Sequence, residues 1–421
     1  MKVVLVNSFE RTGGAAIAAG RLHKALQSRG IEVNRIVLKG KEGTADVTVL
    51  NNTLWRRLIN RIRFVWERGL IFLGNRCSRK NLFVLSLANT GSDISEMALI
   101  RQADVIHIHW INQGMLSLRD IEKLGRLGKP IVWTMHDMWP CTAICHYARD
   151  CKQYYAMCEA CPLIATSSMA VAVMKKKQAV WKTLPVTFVT CSEWLREKAA
   201  RSVLLQGKRL LSIANPIDST CYRPKARLQC RKRFGLPAEK RLILFGAFNV
   251  LDERKGFVYL VEAMKLLLDR YPIWKECLEL VVVGNSKSDV NAAGFTLPIH
   301  QIAYVDGDEA MADLYNAVDL YVLSSLEDNL PNMIMEAMAC GVPCVGFRVG
   351  GIPEMIDSSN GYVAAYKSAE DLSYGINSVL ASSDDYLKFS ENARKKVLER
   401  YSFGCVADKY IQLYKQLIHE Q

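Results

Sequence analysis

The chain contains no run of about twenty consecutive apolar residues, so no part of it is expected to cross a bilayer as a helix. Its first residues, Met1-Lys2-Val3-Val4-Leu5-Val6-Asn7, have too little apolar length and the wrong flanks for a secretory signal and read instead as a buried strand. Internal repeats and low-complexity tracts are also missing, which sets aside repeat arrays. Acidic residues are scarce in one half only: residues 1–205 hold 30 Lys and Arg against 15 Asp and Glu, whereas residues 206–421 hold 25 against 27. The whole excess of positive charge is therefore N-terminal, and it suits something anionic: a lipid surface, an acidic or pyrophosphate-bearing acceptor, or nucleic acid. Cysteine is plentiful at 13, but the odd count and the lack of regular scaffold spacing argue against a disulfide framework. Reduced thiols in a cytoplasmic protein are the expectation.

At 421 residues, half of them hydrophobic, the chain suits two domains better than one. Its most informative stretch runs from Leu320 to Ile356. Leu320-Tyr321-Val322-Leu323 reads as a strand, and Ser324 to Asn329 as a polar turn. Pro331 stands where a helix starts, and that helix ends at Gly341 before a second short strand, Pro343 to Phe347. In a parallel α/β sheet such a helix N-terminus, at the carboxyl end of a strand, is a site for phosphate. Asp328 and Glu336, eight positions apart, would repel a phosphate unless they accept hydrogen bonds from sugar and ribose hydroxyls attached to it.

The run Asp328, seven residues, Glu336, then Ala337-Met338-Ala339-Cys340-Gly341-Val342-Pro343 resembles the donor-binding signature of the retaining glycosyltransferases of family 4, the glycosyl transferase group 1. The family's first acid is usually glutamate; Asp328 holds that place here, with Glu327 just before it. The resemblance implies a GT-B fold, two Rossmann-like α/β domains facing each other across a cleft. It implies Glu336 on the ribose, Asp328 on the donor sugar, and the stretch Asn329, Leu330, Pro331 and Asn332 against sugar and phosphate through the N–H groups around it. It also implies no catalytic metal.

Earlier in the chain, Gly13-Gly14 follows the first strand and opens a small-residue helix, a place for close backbone approach to a phosphate or sugar, and the family has the same element. Between residues 55 and 73, Trp55, Leu58, Ile59, Ile62, Val65, Trp66, Leu70 and Leu73 recur at helical spacing, with Arg56, Arg57, Arg61, Arg63 and Arg68 opposite. Such a helix either packs its apolar side on the N-terminal sheet or lies in the interface of an anionic membrane. The second alternative would place a cytoplasmic protein at the inner membrane face. His107 and His109 alternate along a strand, as metal ligands or as satisfied structural groups. His136 and Asp137 follow the strand Pro130–Met135, and His136 matches a family position beside the donor sugar and acceptor; Asp137 is expected to fix its tautomer. Cys145, Cys151, Cys158 and Cys161, spaced C-x5-C-x6-C-x2-C, would suit a structural zinc, against disulfides or free thiols. Met174 to Lys177 reads as a solvated helix face.

Asn215-Pro216-Ile217-Asp218 resembles the family's interdomain hinge, with proline in place of glycine. The expected division is 1–213 on the acceptor side, 214–398 for the nucleotide sugar, and 399–421 as a helix crossing back to the first domain. Arg254 and Lys255, beside Gly256 in a strand-to-helix loop, suit a diphosphate leaving group, Arg as a fork and Lys as a point charge. Val305 lies near where family members contact the base. The resulting expectation is a retaining glycosyltransferase that moves a sugar from a nucleotide-diphosphate donor to a glycan or lipid-linked acceptor in surface polysaccharide synthesis, with no nucleic-acid partner. The rival readings are a nucleotide-sugar epimerase or hydrolase on the same fold, and a non-catalytic basic adaptor for membrane or nucleic acid.

Overall fold

A computed structural model describes residues 1–249, 252–285 and 297–420, and divides the chain into two units. The first comprises Met1–Pro216 and Val406–Gln421, the second Ile217–Cys405. Continuous apolar runs such as Val3–Val6 and Leu280–Val283 have no polar alternate face, so they form strands covered on both sides, and such strands pair in parallel.

Among the described residues the first unit has seven strands: β1 (Lys2–Phe9), β2 (Glu32–Lys39), β3 (Val47–Val49), β4 (Val105–Ile108), β5 (Ile131–Met135), β6 (Val186–Thr190) and β7 (Arg209–Ser212). Their order is β3-β2-β1-β4-β5-β6-β7, parallel throughout. The second unit has β8 (Arg241–Asn249), β9 (Leu278–Asn285), β10 (Ile299–Ile302), β11 (Leu320–Leu323), β12 (Cys344–Phe347) and β13 (Gly361–Ala364), ordered β10-β9-β8-β11-β12-β13. Each is a doubly wound sheet whose strand order reverses once, between β1 and β4 and between β8 and β11. At that reversal neighbouring loops diverge to opposite faces and leave a crevice at the strand carboxyl ends.

The core of the first unit centres on Trp133, Trp139, Trp181 and Phe188, whose rings pack within 5.3–6.5 Å of one another. Lys177 is buried among them, which corrects the solvated face expected for this segment: Lys175 and Lys176 point out, Lys177 in. Its ammonium lies 3.3 Å from the centroid of the Trp139 ring and donates to the carbonyls of Trp139 (2.6 Å) and Thr142 (3.0 Å). Burial pulls its pKa well below the ordinary lysine value, while acidic and thiol neighbours pull the other way.

The helix Phe403–His419 returns the chain to the first unit, where the hydroxyl of Tyr410 meets Thr134 Oγ1 at 2.8 Å and that of Tyr414 meets His107 Nδ1 at 2.6 Å. The helix Leu54–Gly74 is amphipathic as expected, but its packing on the protein is inverted. Its buried residues include Asn60, Glu67 and Arg68, while Trp55, Leu58, Ile62 and Trp66 face outward.

Replacing Lys177 with Met keeps the length of the side chain and removes both hydrogen bonds, leaving two buried carbonyls unpaired. The expected cost is about 2–4 kcal/mol, read as a lower urea midpoint with an unchanged slope.

Candidate active site

In the second unit two loops meet where the strand order reverses. After β8 the chain makes a 3₁₀ turn, Glu253–Lys255, opened by Asp252, whose carboxylate accepts from the Arg254 N–H at 2.9 Å. After β11 it runs through Ser324 to Pro331 and enters the helix Asn332–Ala339. Hydrogen bonds join the two: the Leu326 N–H donates to the Arg254 carbonyl at 2.7 Å, and the Ser324 hydroxyl donates to the Lys255 carbonyl at 3.2 Å. Gly256, at φ +64°, permits this approach, since a Cβ there would lie 2.0 Å from the Ser324 carbonyl oxygen.

Lys255 Nζ reaches Asp328 Oδ2 at 2.9 Å, with both side chains largely buried. The Arg254 guanidinium stands beside it, 3.4 Å from the Glu327 carbonyl oxygen and 3.7 Å from the Asp252 carboxylate. Glu327 itself is buried. Behind Asp328, Gly350 sits at φ +61° with room for no Cβ, which would fall 1.6 Å from the Asp328 carbonyl oxygen. The next N–H, from Gly351, donates to the Asn329 carbonyl at 2.8 Å. The diglycine turn therefore shapes the acidic loop from behind. Pro331 takes the extended conformation that precedes a helix, and Gly341, at φ +75°, ends it. The first-turn N–H groups of that helix open toward the loop that carries Asp328.

Glu336, on the second turn, is buried, and its Oε2 accepts a hydrogen bond from the Tyr315 hydroxyl at 2.9 Å. Tyr315 was not legible in the sequence as a site residue, and neither was Tyr321 of β11. The Tyr321 hydroxyl is buried and has no hydrogen-bond partner among the described residues. Burial pushes both phenols well above the usual tyrosine value; Glu336 adds to this at Tyr315, and Cys344, Asp328 and Glu336 add to it at Tyr321. Asn329 and Leu330 are buried in the loop, and Val305 is half-buried after β10. Arg254, Lys255, Asp328, Asn329, Leu330, Pro331, Asn332 and Glu336 thus gather around one strand-order reversal. The arrangement offers cations and a helix N-terminus to an anion, with carboxylates on either side for hydroxyl groups.

The remaining expected residues lie in the first unit. Gly13 caps the helix Gly14–Gln27 at φ +88°, a conformation that favours glycine, and both glycines are exposed. His136 follows β5, and its Nε2 meets His109 Nδ1 at 2.9 Å while its Nδ1 lies 3.6 Å from Cys191 Sγ. Asp137 does not hold the His136 ring by a hydrogen bond, contrary to the expectation. Its carboxylate is taken by His146 Nδ1 (2.6 Å), Trp110 Nε1 (2.8 Å) and the Trp139 N–H (2.9 Å). His107 and His109 stack at 4.3 Å, and His107 is bonded to Tyr414 and, at 2.7 Å, to Thr134 Oγ1, as a structural group. Burial lowers His107 to about 3 and His136 to about 4, so both rings are neutral at pH 7.

Cys145, Cys151, Cys158 and Cys161 line one small apolar pocket and are free thiols. Burial pushes Cys145 up to about 12 and Cys158 up to about 11, so these thiols are protonated at neutral pH in this geometry. Among the described residues, no three His, Cys, Asp or Glu side chains are grouped so as to hold a metal ion.

Residues 12–220 match the family model described as Glycosyltransferase Family 4, and residues 228–396 the model described as Glycosyl transferases group 1. The chain belongs to these glycosyltransferases. Among relatives of this family, it is 24% identical to an uncharacterized glycosyltransferase of Methanocaldococcus jannaschii over 77% of the chain and 85% of the relative. It is also 24% identical to the putative colanic acid biosynthesis glycosyl transferase WcaC of Escherichia coli, over 99% of the chain and 100% of the relative. Of several other relatives the chain spans about half the length, between 47% and 58%. Among solved structures, Anabaena HepE in complex with UDP superposes with a TM-score of 0.64 at 15% identity, covering 99% of this chain and 100% of that one. The glycosyltransferase fold here is GT-B, built from two Rossmann-like domains.

Two outcomes follow from this geometry. Gly350→Ala forces the Asp328 carbonyl to move, so it is expected to weaken nucleotide-sugar binding at least tenfold while costing the fold only about 1–3 kcal/mol, measured by calorimetric titration beside urea unfolding. The neutral buried histidines have folded pKa values below the unfolded 6.5. Their contribution to stability is thus complete above pH 6.5 and is lost as pH falls toward 4, by up to about 1.4 kcal/mol per pH unit for each ring. Unfolding free energies measured between pH 7 and 4.5 should fall with that sign, and His107→Phe should flatten the slope.

Proposed function

We propose that the chain transfers a sugar from a nucleoside-diphosphate donor to a glycan or lipid-linked acceptor, with retention of anomeric configuration, as a step in building a polysaccharide. The observation that carries this reading is the pairing of Lys255 with Asp328, with Arg254 alongside, at the N-terminal end of the helix that bears Glu336. A diphosphate has the charge to draw Lys255 from Asp328, and a released Asp328 is left as an acceptor for the hydroxyls of the sugar. Glu336, steadied by Tyr315, accepts from the ribose, and backbone groups near Val305 meet the base. The E. coli relative is named for colanic acid biosynthesis and the Anabaena protein was solved with UDP, which supports a nucleotide donor and a polysaccharide product.

In the reaction, the bond between the anomeric carbon and the diphosphate oxygen breaks, and its electron pair leaves with the diphosphate. Negative charge therefore builds where Arg254, Lys255 and the helix N–H groups are placed to meet it. The acceptor hydroxyl attacks from the face of the leaving group and passes its proton to a diphosphate oxygen. No side chain is then needed as general base. His136, neutral at pH 7, serves as a hydrogen-bond partner for a sugar hydroxyl and not as a proton donor.

Thermal shift against UDP-, GDP- and ADP-sugars tests the donor site, because a ligand at a hundredfold its Kd stabilises by about 2.7 kcal/mol. One donor should raise Tm by several degrees, Glu336→Ala should abolish the shift, and Tyr315→Phe should weaken the donor about tenfold. Lys255→Ala should lower kcat by about 10²–10³-fold. A shift that survives in Glu336→Ala refutes the ribose assignment, and a product of inverted configuration by NMR refutes retention.

A further inference from the structure

The helix Leu54–Gly74 is held to the protein by its polar side. The Glu67 carboxylate accepts from the N–H groups of Leu87 (2.6 Å) and Ala88 (3.0 Å) and pairs with Arg68 at 2.7 Å. Arg68 in turn donates to the Leu85 carbonyl at 2.9 Å, and Asn60 bonds to Asn51. Every one of these bonds is directional, so together they fix the rotation of the helix about its axis. That rotation turns the apolar stripe outward: Trp55, Leu58, Ile59, Ile62, Val65 and Trp66 are 44–74% exposed. Isolated exposed apolar residues are ordinary, but a contiguous stripe of this length marks a surface made to be covered.

We propose that this face docks on a membrane whose headgroups are anionic. The charge around the stripe selects that occupant. Between Asn51 and Phe83 the chain holds eight cations, Arg56, Arg57, Arg61, Arg63, Arg68, Arg76, Arg79 and Lys80, and one acid, Glu67, which is buried and paired. At 100° per residue, Arg61 and Arg63 fall at the two edges of the apolar arc, where long side chains reach sideways to headgroups while the tryptophans enter the interface. A second copy of the chain would bring two basic rims together. Anionic lipid neutralises the same rims. No described helix is long and apolar enough to cross a membrane, so the contact lies along the surface. It is independent of the donor site, and a lipid-linked acceptor would be met on the same plane.

Full-length protein is mixed with vesicles of phosphatidylglycerol and phosphatidylcholine, or of phosphatidylcholine alone, and sedimented. The expected result is partitioning onto the anionic vesicles only, weakened by salt, with Trp55→Glu/Trp66→Glu reducing it at least tenfold and Arg61→Gln reducing it about fivefold. Urea unfolding should be unchanged in both variants, because these side chains make no buried contact; should the double variant unfold, Ile62→Ser replaces it with the same expectation. Donor thermal shifts in vesicle-free buffer should also be unchanged, so failure here is distinguishable from failure of the transferase reading. The proposal is overturned if the protein stays in the supernatant, if the variants sediment like the wild type, or if the stripe instead holds a dimer that Trp55→Glu/Trp66→Glu converts to monomer without any binding to vesicles.

Discussion

The Lys255–Asp328 ion pair is the contact on which the proposed donor site depends. It joins side chains from loops that follow adjacent strands at the one point where those loops would otherwise diverge. A buried pair of this kind contributes little net stability, because desolvation of the two ions offsets most of their attraction, yet removing one partner leaves the other uncompensated. Its value is geometric. With the Leu326-to-Arg254 backbone bond on one side and the Gly350 turn on the other, the acidic loop has little freedom to move. In the proposed reading the cation is thereby held in place before any anion arrives.

The same economy of position recurs in the first unit, where charged and polar side chains occupy the interior because they are bonded there. Lys177 ties two carbonyls beneath a tryptophan ring, Asp137 gathers three donors, and His107 bridges Tyr414 and Thr134. Each would be costly unpaired, and each is specified by more than one neighbour. Such networks define one arrangement of the loops at the strand ends more sharply than apolar packing can.

Much of this was legible in the sequence, for identifiable reasons. Unbroken apolar runs mark strands buried on both faces, and β1, β8, β9 and β11 lie where those runs do. Pro331 and Gly341 bracket the short helix of the donor loop. The amphipathicity of the helix from residue 54 is likewise a matter of spacing, but spacing cannot say which side faces the protein. That depended on hydrogen bonds from Glu67 and Arg68 to a segment about twenty residues away. The composition of Met174 to Lys177 suggests a solvated face, but by helical period Lys177 falls in line with Ala170, Val173, Met174, Val180 and Trp181, the buried side of its helix. The pairing of His136 with His109 depended on β4 lying beside β5, and that of Glu336 with Tyr315 on the packing of two helices, neither of which is written in local sequence.

The last helix has a consequence for how the protein is made. Tyr410 and Tyr414 complete the hydrogen bonding of Thr134 and His107 deep in the first unit. A ribosome will have synthesised the whole of the second unit before those two hydroxyls exist. The N-terminal unit must therefore wait, with a gap in its interior, while its C-terminal neighbour can already close. A fragment ending at Pro216 would carry that gap permanently, so the first unit is a single structure drawn from both ends of the chain.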